Sequence, residues 1–436
     1  MRAMSRAVSL GAVVCACVFA PAASAIDLLQ AYQAALANDA TFASVRSAYL
    51  AGLEKLPQAR AGLFPAINGT GNRTETSTTR IPNTRLSNTT YAVQLVQPLF
   101  RWASWQNYEQ SKLLVEISEI QLELGRQDLI IRLAQAYFNV LAAQDNLTFI
   151  GAQKAAIAEQ LESAKRNFEI GTATITDTYE AQARYDLAEA QGIQAEADLE
   201  VRISALQQIV GDRTGQLAQL PPGVQIPGPI PARMNDWVER SRSNNWAVIQ
   251  AGINTEGADR AIEIARAGHY PTVDLVGNVQ RAEGLVGNVV IDNPYTTRSV
   301  GVQIQVPLFA GFGVQSRVAE AVALLERSRN DLEVQRRVAV QNARVAFQGV
   351  NSGLAQIRAL EAAQTSSRSS LEANKTGYEV GVRINIDVLN AQQQLYSTER
   401  DLAAARYNAL LSGLQLKAAA GVLTGDDVES VNRLLR

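Results

Sequence analysis

Residues 168–182 read FEIGTATITDTYEAQ, and residues 378–392 read YEVGVRINIDVLNAQ. The second stretch begins 210 positions after the first and keeps its glutamate, glycine, aspartate and Ala-Gln pair in place. Two other motifs recur in the same order: ARAGLFP at 59–65 returns as ARAGHYP at 265–271, and PLF at 98–100 returns at 307–309. Three landmarks in one order and at nearly constant spacing indicate that the chain contains two copies of one unit.

Apolar residues on both sides of these turns follow the spacing of coiled-coil seams. One run is Leu113, Ile117, Ile120, Leu124, Ile131, Ala134, Phe138 and Leu141, with Gln127 as its single polar exception. In the last helix Val388, Leu395, Leu402, Ala409, Leu416 and Leu423 recur every seven residues. Heptads alone also fit the core of an ordinary helical bundle, so the lengths of the helices must decide between the two.

Each repeat contains one very long predicted helix whose length is matched by two shorter ones. The long helices are predicted over 101–169 and 311–379, roughly 100 Å each at 1.5 Å per residue. The shorter pairs are predicted over 27–62 and 178–210 in the first repeat, and over 233–268 and 387–420 in the second. Because a single compact core cannot bury helices of this length, the pattern favours an elongated tube.

Each repeat also contains one predicted β-hairpin, with strands at about 65–79 and 89–98 and at about 271–283 and 296–307. Val300, Val302 and Ile304 alternate with polar residues, so one face of the strand is apolar. A membrane strand needs about 9–11 residues, which these segments supply. Four strands cannot close a barrel, and an open edge in lipid leaves backbone groups unpaired. The sequence therefore predicts that other copies complete the sheet, with three copies supplying 12 strands.

The chain divides into four predicted segments. Residues 1–25 have a basic start, a short apolar run and Ala23-Ser24-Ala25, the order of a secretory signal peptide. The first repeat covers 26–220, a proline-rich linker covers 221–231, and the second repeat covers 232–436. Both cysteines, Cys15 and Cys17, lie in the predicted signal; lipid attachment at Cys17 is the alternative to simple cleavage.

The composition excludes several classes of function. The chain has one histidine, two cysteines and a formal net charge of −2, so it shows no nucleic-acid footprint. Neither a metal-spaced ligand set nor a phosphate-binding glycine motif is present, and we expect no enzyme, cofactor or metal. Two readings of this exported chain stay open at this point: a membrane channel, or a periplasmic coiled-coil structural or adaptor protein.

The segment YEVGVRINIDVLNAQQQLYSTERDLAAARYNALLSGLQLKAAAGVL at 378–423, with FEIGTATITD at 168–177 and the two PLF triplets, resembles the TolC-type outer-membrane efflux and secretion channels. The resemblance covers essentially the whole chain after residue 25. It implies a mainly α fold in which two repeats of coiled-coil helices and a β-hairpin assemble as a homotrimer. The 12-stranded outer-membrane β-barrel would continue into a periplasmic α-barrel, with an equatorial region near the linker and the C-terminus.

The resemblance also implies a function. The channel would be a passive exit duct in the cell outer membrane of a Gram-negative bacterium, for efflux of small molecules, for type I protein secretion, or for both. It would contact outer-membrane lipid and be docked by a periplasmic adaptor and by an inner-membrane transporter of ABC, RND or MFS type. The sequence does not name the substrate.

The two repeated turns are the candidate functional site. Gly171 and Gly381 suit helix C-termini that need a positive φ. Asp177 and Asp387 suit the N-caps of the returning helices, Asp177 with Glu180 as a capping box. For Asp387 a second role is open, because several copies around a narrow axis would concentrate cations.

The resemblance assigns further roles at these turns. Asp387 matches an aspartate of the family's periplasmic constriction, and Asn390 stands where a second aspartate is expected, so we expect weaker trapping of cations. Tyr378 and Arg383 match residues that tie the inner hairpin to the outer one, through the positions that Thr176 and Asp177 occupy here. A packed tyrosine and a solvated arginine are the alternative to such latches.

Overall fold

The computed structural model describes residues 26–77, 85–212, 215–286 and 289–435. The predicted signal peptide at 1–25 lies outside them. The first repeat contains α1 (Leu28–Asn38), α2 (Ala40–Leu53), α3 (Lys55–Ala61), β1 (Ala66–Ser77), β2 (Arg85–Phe100), α4 (Trp102–Glu169) and α5 (Ile175–Val210). The second contains α6 (Met234–Asn244), α7 (Trp246–Arg266), a 3-10 turn (Ala267–His269), β3 (Thr272–Val286), β4 (Val289–Gln305), α8 (Gly313–Glu379), α9 (Asn385–Ala419) and α10 (Gly425–Asn432).

The two long helices have 68 and 67 residues and end at the residues predicted for them. The helices that return from the turns begin earlier than predicted, at Ile175 rather than 178 and at Asn385 rather than 387. Helix α10 was not predicted from the sequence. In the part of the chain that the structure describes, no helix combines the length and the apolar character needed to cross a membrane.

The predicted single helices at 27–62 and 233–268 are broken, which corrects the sequence reading. The first is divided at Asp39, whose side chain accepts a hydrogen bond from the amide of Phe42 at 2.6 Å and starts a new helix. The second is divided at Asn245, whose side chain accepts from Ala247 at 3.0 Å. Each break thus has a short polar N-cap residue as its cause. The helix predicted over 27–62 has a further break at Glu54.

The seam predicted in the second repeat is confirmed, because all six members from Val388 to Leu423 are buried, the last of them just after the end of α9. The seam predicted in α4 is confirmed in part: Ile120, Ala134, Phe138 and Leu141 are buried, whereas Leu113, Ile117, Leu124 and Ile131 are half-buried. The polar exception, Gln127, is also buried and donates from Nε2 to the carbonyl oxygen of Leu423 at 3.4 Å. The polar residue in the seam therefore has a hydrogen-bonding partner across the interface, as a buried amide requires.

A collar of short segments surrounds the middle of α4 and α9. The largest apolar cluster joins α1, the central part of α4, the end of α5, the chain after it and α10. Ile26 and Leu217 form a parallel bridge there, and the hydroxyl of Tyr137 donates to the carbonyl oxygens of Ile26 and Ala218, both at 3.0 Å. The collar fixes Ile26, α10 and the chain between the repeats to the long helices.

The four strands form one antiparallel sheet in the order β1-β2-β3-β4. The observed register places Ile67 opposite Leu95, Val93 opposite Val279, and Leu275 opposite Val302. The alternation predicted from the sequence is thereby confirmed, because these apolar side chains share one face. Most of that face is exposed on the single chain, including Val300 and Ile304. Strand β2 continues past its predicted end at 98, with an irregular register between Pro98 and Phe100.

An ion pair stabilises the break at Asp39. Both carboxylate oxygens of the buried Asp39 accept hydrogen bonds from the guanidinium of Arg132 on α4, each at 3.0 Å. The hydrogen bonds from Arg132 hold the pKa of Asp39 below its ordinary value, although burial acts in the opposite direction. The bidentate pair therefore fixes the start of α2 against the long helix.

We predict that Asp39→Asn, which keeps an N-cap oxygen and removes the charge, costs about 1.5–3 kcal/mol at neutral pH, as expected for a hydrogen-bonded charged group. A depressed carboxyl pKa contributes stability above the unfolded value of about 3.9 and loses it as the pH falls below that value. Thermal unfolding followed by circular dichroism should therefore show a lower melting temperature for the variant at pH 7 and a much smaller difference near pH 3.

The control is Asp198→Asn, which removes an exposed pair with Arg202 on α5 and should cost less than about 0.5 kcal/mol. An equal difference for Asp39→Asn at both pH values would contradict the assigned ion pair.

Candidate functional site

Two matching turns join the long helices at the end of the molecule farthest from the sheet. The second residue after α4 and after α8 is a glycine, and Gly171 and Gly381 both have a φ of 76°. In each turn the next amide donates to the last turn of the helix, from Thr172 to the carbonyl of Asn167 and from Val382 to that of Gly377, both at 2.8 Å. These are Schellman caps, and the left-handed conformation predicted at both glycines is observed.

The predicted N-cap roles of Asp177 and Asp387 are wrong. Helix α5 has Thr174 as its N-cap, and Asp177 is the third helical residue. Its carboxylate accepts from the amide and the hydroxyl of Thr174 at 2.9 and 2.8 Å, so the capping box joins Asp177 to Thr174 and not to Glu180. In α9 the N-cap is Ile384, which has no side-chain acceptor. The hydroxyl of Thr174, directly after the left-handed turn, starts α5 earlier than the sequence reading assumed.

Arg383 lies beside Asp387 on the same turn. Nη1 of Arg383 is 3.7 Å from Oδ2 of Asp387, and both side chains are partly exposed. The resemblance implies a contact of Arg383 with Thr176 or Asp177, but the structure gives no hydrogen bond between Arg383 and either residue. The carboxylate of Asp177 accepts the hydrogen bonds of its own capping box, and Arg383 pairs with Asp387 instead.

We call the helix pair α4 and α5 the first hairpin, and the helix pair α8 and α9 the second hairpin. Tyr378 links these two hairpins, but through a partner other than the one the resemblance implies. The hydroxyl oxygen of Tyr378, in the last turn of α8, accepts a hydrogen bond from Nδ2 of Asn167 at 3.1 Å. The implied bond to the Asp177 carboxylate is not formed, because that carboxylate turns back to Thr174. The link is thus between an amide and a phenol.

Asn385 makes a second polar link, and the sequence reading missed it. Its side chain is only 1% exposed. Its Oδ1 accepts from Nε2 of Gln160 at 2.5 Å, and its Nδ2 donates to the backbone oxygen of Asp177 at 3.2 Å. A signal was present: Asn385 lies three residues before Val388, at a seam position where the heptad calls for an apolar residue. A polar residue in a seam specifies which surfaces meet.

Apolar packing and an arginine complete the contact. Leu389 of the second hairpin packs in a cluster with five residues of the first, Ile157, Leu161, Ala164, Ala181 and Ala188. Arg184 on α5 donates to Asn390 at 3.1 Å and to Gln393 at 2.7 Å on α9. Asn390 therefore accepts a hydrogen bond from the other hairpin, which the sequence did not predict.

A cleft of about 820 Å³ lies between the two hairpin tips. Its charged lining residues carry both signs: Glu159, Arg166, Asp177, Lys375, Glu379 and Arg383. Because no single sign dominates, the cleft suits contacts between hairpins better than the capture of a charged small molecule. The tip therefore combines apolar packing, hydrogen bonds between neutral groups and the exposed hydrogen bonds of Arg184, contacts that can separate without stranding a buried charge.

A further contact between α4 and α9 lies farther from the two turns. The hydroxyl of Tyr407 donates to Oδ2 of Asp145 at 2.7 Å, and Phe138 stacks on the Tyr407 ring. Burial raises the pKa of Asp145, and the hydrogen bond from Tyr407 opposes that shift. Burial also raises the pKa of the Tyr407 phenol, so this link keeps its proton near neutral pH.

The sequence profile of the family described as "Outer membrane efflux protein" matches residues 31–212 and 237–422, one segment in each repeat. The chain belongs to this family. It is 32% identical over 413 residues to Outer membrane protein TolC of Vibrio cholerae, covering 94% of each chain. It is 31% identical over 420 residues to the proteases secretion protein PrtF of Dickeya chrysanthemi, covering 93% of this chain and 90% of PrtF.

Solved channel structures share the fold of this family member. The Campylobacter jejuni CmeC outer membrane channel superposes with a TM-score of 0.78 at 17% identity, covering 93% of this chain and 89% of CmeC. The outer membrane protein VceC of Vibrio cholerae gives 0.76 at 18% identity, covering 90% and 96%. At these identities the likeness concerns the fold alone.

Family membership confirms the resemblance to TolC-type channels. This outer membrane efflux protein is a channel protein that lies in the outer membrane and has a periplasmic part. The family is one of channels and not of enzymes. The alternative of a periplasmic adaptor is set aside, because the profile covers both repeats of the chain.

We predict that Asn385→Ala loosens the tip of the channel protein. The change leaves Gln160 and the backbone oxygen of Asp177 without their partner, which costs about 1–3 kcal/mol for buried groups. Hydrogen exchange of the amides at the start of α5 should accelerate about tenfold, since 1.4 kcal/mol corresponds to that factor. The matched control is Asn374→Ala, because Asn374 donates only to Ser370 on its own helix. Equal exchange in both variants would show that Asn385 is not a link.

Proposed function

We propose that three copies of this chain form a passive exit duct across the outer membrane, closed at its periplasmic end by the two hairpin tips of each copy. The duct serves efflux of small molecules, type I protein secretion, or both. A periplasmic adaptor docks it to an inner-membrane transporter of ABC, RND or MFS type. No step in this function uses catalysis or a cofactor.

The proposal rests on one observation. At three positions along the length of the described chain, the two outermost strands or helices each have one side without a neighbour. The sheet ends at β1 and β4. Directly below it the helices pack in the order α2 and α3, α4, α7, α8, and nearer the tip in the order α5, α4, α9, α8. At every level one end belongs to the first repeat and the other to the second. Head-to-tail contacts between such unlike ends generate a ring when the rotation closes.

The sheet argues for a membrane position and for the number of copies. Its exposed apolar face includes Ile67, Val93, Val279 and Val300, which lipid would cover. The backbone groups at the edges of β1 and β4 must find partners, since lipid offers none. Three copies supply 12 strands, an even number within the range of outer-membrane barrels.

The helices make the second part of the duct. Helix α4 has 68 residues and spans roughly 100 Å at 1.5 Å per residue, so it reaches far below the sheet. Because both repeats place their turns at the same end, six turns would meet around one axis. The convergence of these turns is the proposed gate.

The gate residues divide into two kinds. Asp387 supplies one carboxylate per copy near the axis, where a ring of carboxylates attracts cations. Asn390 gives no second charge and is held by Arg184, so we propose weak trapping of cations. Tyr378, Arg383, Thr176 and Asp177 lie at the tips that must separate when the duct opens.

The choice of substrate rests on the relatives. PrtF is named for the secretion of proteases, and the family is named for efflux. A passive duct needs no selective binding site of its own. One channel is therefore compatible with a transporter for efflux and with a transporter for protein secretion.

The test of this function compares a deletion strain with its parent. We expect the deletion to increase sensitivity to drugs and detergents or to remove proteins from the culture medium, and the intact gene to restore both. We also expect the purified protein to produce discrete conductance steps in a planar lipid bilayer. Normal drug resistance and secretion in the deletion strain, with no conductance from the protein, would overturn the proposal.

We predict that the double variant Tyr378→Phe with Arg383→Ser favours the open tip. The change removes the hydrogen bond from Asn167 and the pair with Asp387, at about 1 kcal/mol for a typical hydrogen bond and less for the exposed pair. The open population should rise roughly tenfold, seen as a larger mean conductance in a planar bilayer. Arg400→Ser is the control, since Arg400 pairs only with its neighbour Asp401. Unchanged conductance of the double variant would contradict the gate.

A further inference from the structure

The apolar face of the sheet carries two exposed arginines. Arg298 lies directly opposite Val279 in the register of β3 and β4, and Arg281 lies two residues after Val279 on β3. Alternate residues of a strand share one face, so both arginines lie on the face that also contains Val93 and Val300. Both side chains are exposed. Arginine is costly in the middle of a face that lipid covers and is tolerated near the membrane interface.

The two arginines are close enough to bind one group together. Arg281 is paired with Thr296, so Arg298 is its diagonal neighbour across the two strands. Diagonal neighbours are about 7–8 Å apart, which is within reach of long side chains. Within the described residues neither guanidinium forms an ion pair, not even with Glu283, which lies two residues beyond Arg281 on the same face. Two like charges side by side therefore lack a counter-charge that an anion would supply.

A groove on the same face begins beside Arg298. It has a volume of about 440 Å³ and lies where Gly277 presents no side chain between Leu95 and Val300. The other side chains of this face that line the groove are apolar: Ile67, Val93 and Val279. A narrow apolar groove that opens to the membrane and ends at a cation matches a lipid with an acyl chain and an anionic headgroup.

The arginines lie at the height at which lipid headgroups are expected. Strand β3 begins next to the periplasmic helices at Thr272, and Arg281 lies nine residues farther along, about 30 Å at 3.3 Å per residue. For strands tilted by about 35–45°, this length spans roughly the apolar band of an outer-membrane barrel, which is about 25 Å tall. Tyr91 lies opposite Arg281 on β2 and is 62% exposed, as is typical of the aromatic girdle at a membrane interface. The arginines therefore lie at the outer-leaflet end of the sheet.

We propose that this face binds a phosphorylated lipid of the outer leaflet, with its phosphate between Arg281 and Arg298 and an acyl chain in the groove over Gly277. Guanidinium groups bind phosphate through paired, charge-assisted hydrogen bonds. The hydroxyls of Tyr91 and Thr296, which lie in the same row as Arg281, add donors for headgroup oxygens. The inference rests on the proposed barrel only for the direction in which the apolar face points.

The first β-hairpin shows that the arginine pair is not a general property of these strands. At the spacing of the PLF motifs the counterpart of Arg298 is Thr89, and at the spacing of the ARAG motifs the counterpart of Arg281 is Glu75. Arg73, on the same face of β1, pairs with Glu75 at 3.9 Å. Among the described side chains, two neighbouring arginines without a carboxylate thus occur in the second β-hairpin, and we expect one bound lipid per chain.

The headgroup contact is tested by lipid retention. The purified protein in mild detergent is titrated with diphosphoryl lipid A, and bound lipids are counted by native mass spectrometry. We expect one retained lipid per chain, with at least tenfold weaker retention in the double variant Arg281→Gln with Arg298→Gln. The control, Arg336→Gln with Arg358→Gln, removes the same charge from two exposed arginines of α8 and should retain the lipid. Equal retention by the two double variants would overturn the proposal.

The groove is tested by filling it. Gly277→Leu should abolish retention, whereas Gly69→Leu, which adds the same side chain to the same face outside the lining of the groove, should preserve it. Gly277→Ala should fold and retain most of the lipid, since its Cβ would meet Val300 and Leu95 at the ordinary contact distances of 3.7 and 3.8 Å. Retention unaffected by Gly277→Leu would remove the acyl chain from the groove.

Two other ligands separate a phosphorylated lipid from its parts. Diacylglycerol, which has no phosphate, should be retained at least tenfold less than lipid A, and millimolar inorganic phosphate should leave the bound lipid in place. Equal retention of diacylglycerol would show a non-selective apolar surface. Displacement of the lipid by inorganic phosphate would show a site for a free anion. Either result would overturn the proposal.

Conductance in a planar bilayer separates this inference from the proposed duct. The double variant Arg281→Gln with Arg298→Gln should conduct like the parent, because both residues lie on the face opposite the polar one. If the parent gives no conductance but retains lipid A through the two arginines, the duct fails and the lipid site stands. If conductance is normal and retention does not depend on the arginines, the duct stands and the lipid site fails.

Discussion

The unpaired backbone at the edges of β1 and β4 is the constraint on which the rest of the structure depends. The four-stranded sheet exposes an apolar face and ends in two open edges. A membrane supplies no hydrogen bonds to such edges, so a single chain cannot be the working unit in lipid. The helices are in the same situation as the strands: α5 and α8 are the outermost helices, and each has one side without a neighbour in the described chain. The proposed closure of the ring satisfies the edges and the helix faces together.

Duplication explains how one chain can supply both sides of every seam, and the differences between the repeats show where the seams are not alike. Within the chain, α4 and α9 are joined by Tyr407 to Asp145 and by Asn385 to Gln160. At the repeat offset of 210 positions, the matching residues on α5 and α8 are Ala197, Ala355, Ile175 and Ser370, which cannot reproduce those hydrogen bonds. The contact within a chain thus includes specific hydrogen bonds that the proposed contact between copies lacks.

The sequence predicted what depends on periodicity and failed where a single side chain decides. Heptads located α4 and α9, and period-two alternation located the apolar face of the sheet. The breaks at Asp39 and Asn245 were missed because the apolar pattern continues through them and only the side-chain cap interrupts the helix. At the tip, Thr174 rather than Asp177 starts α5, and that capping box removes Asp177 from the partners of Tyr378. Asn385 was visible as a polar residue in a seam, but its partner Gln160 is 225 positions away and no local pattern joins the two.

The central claim is that identical chains meet head-to-tail and close one barrel and one helical tube. Electron cryomicroscopy of the protein in lipid nanodiscs tests it most directly, because the image shows both the number of chains and the edges of the sheet. The account predicts threefold symmetry, 12 strands with β4 of each copy paired to β1 of the next, and α8 lying on α5 of the neighbouring copy. A particle that contains one chain with both sheet edges open, or copies joined edge to like edge, would contradict it.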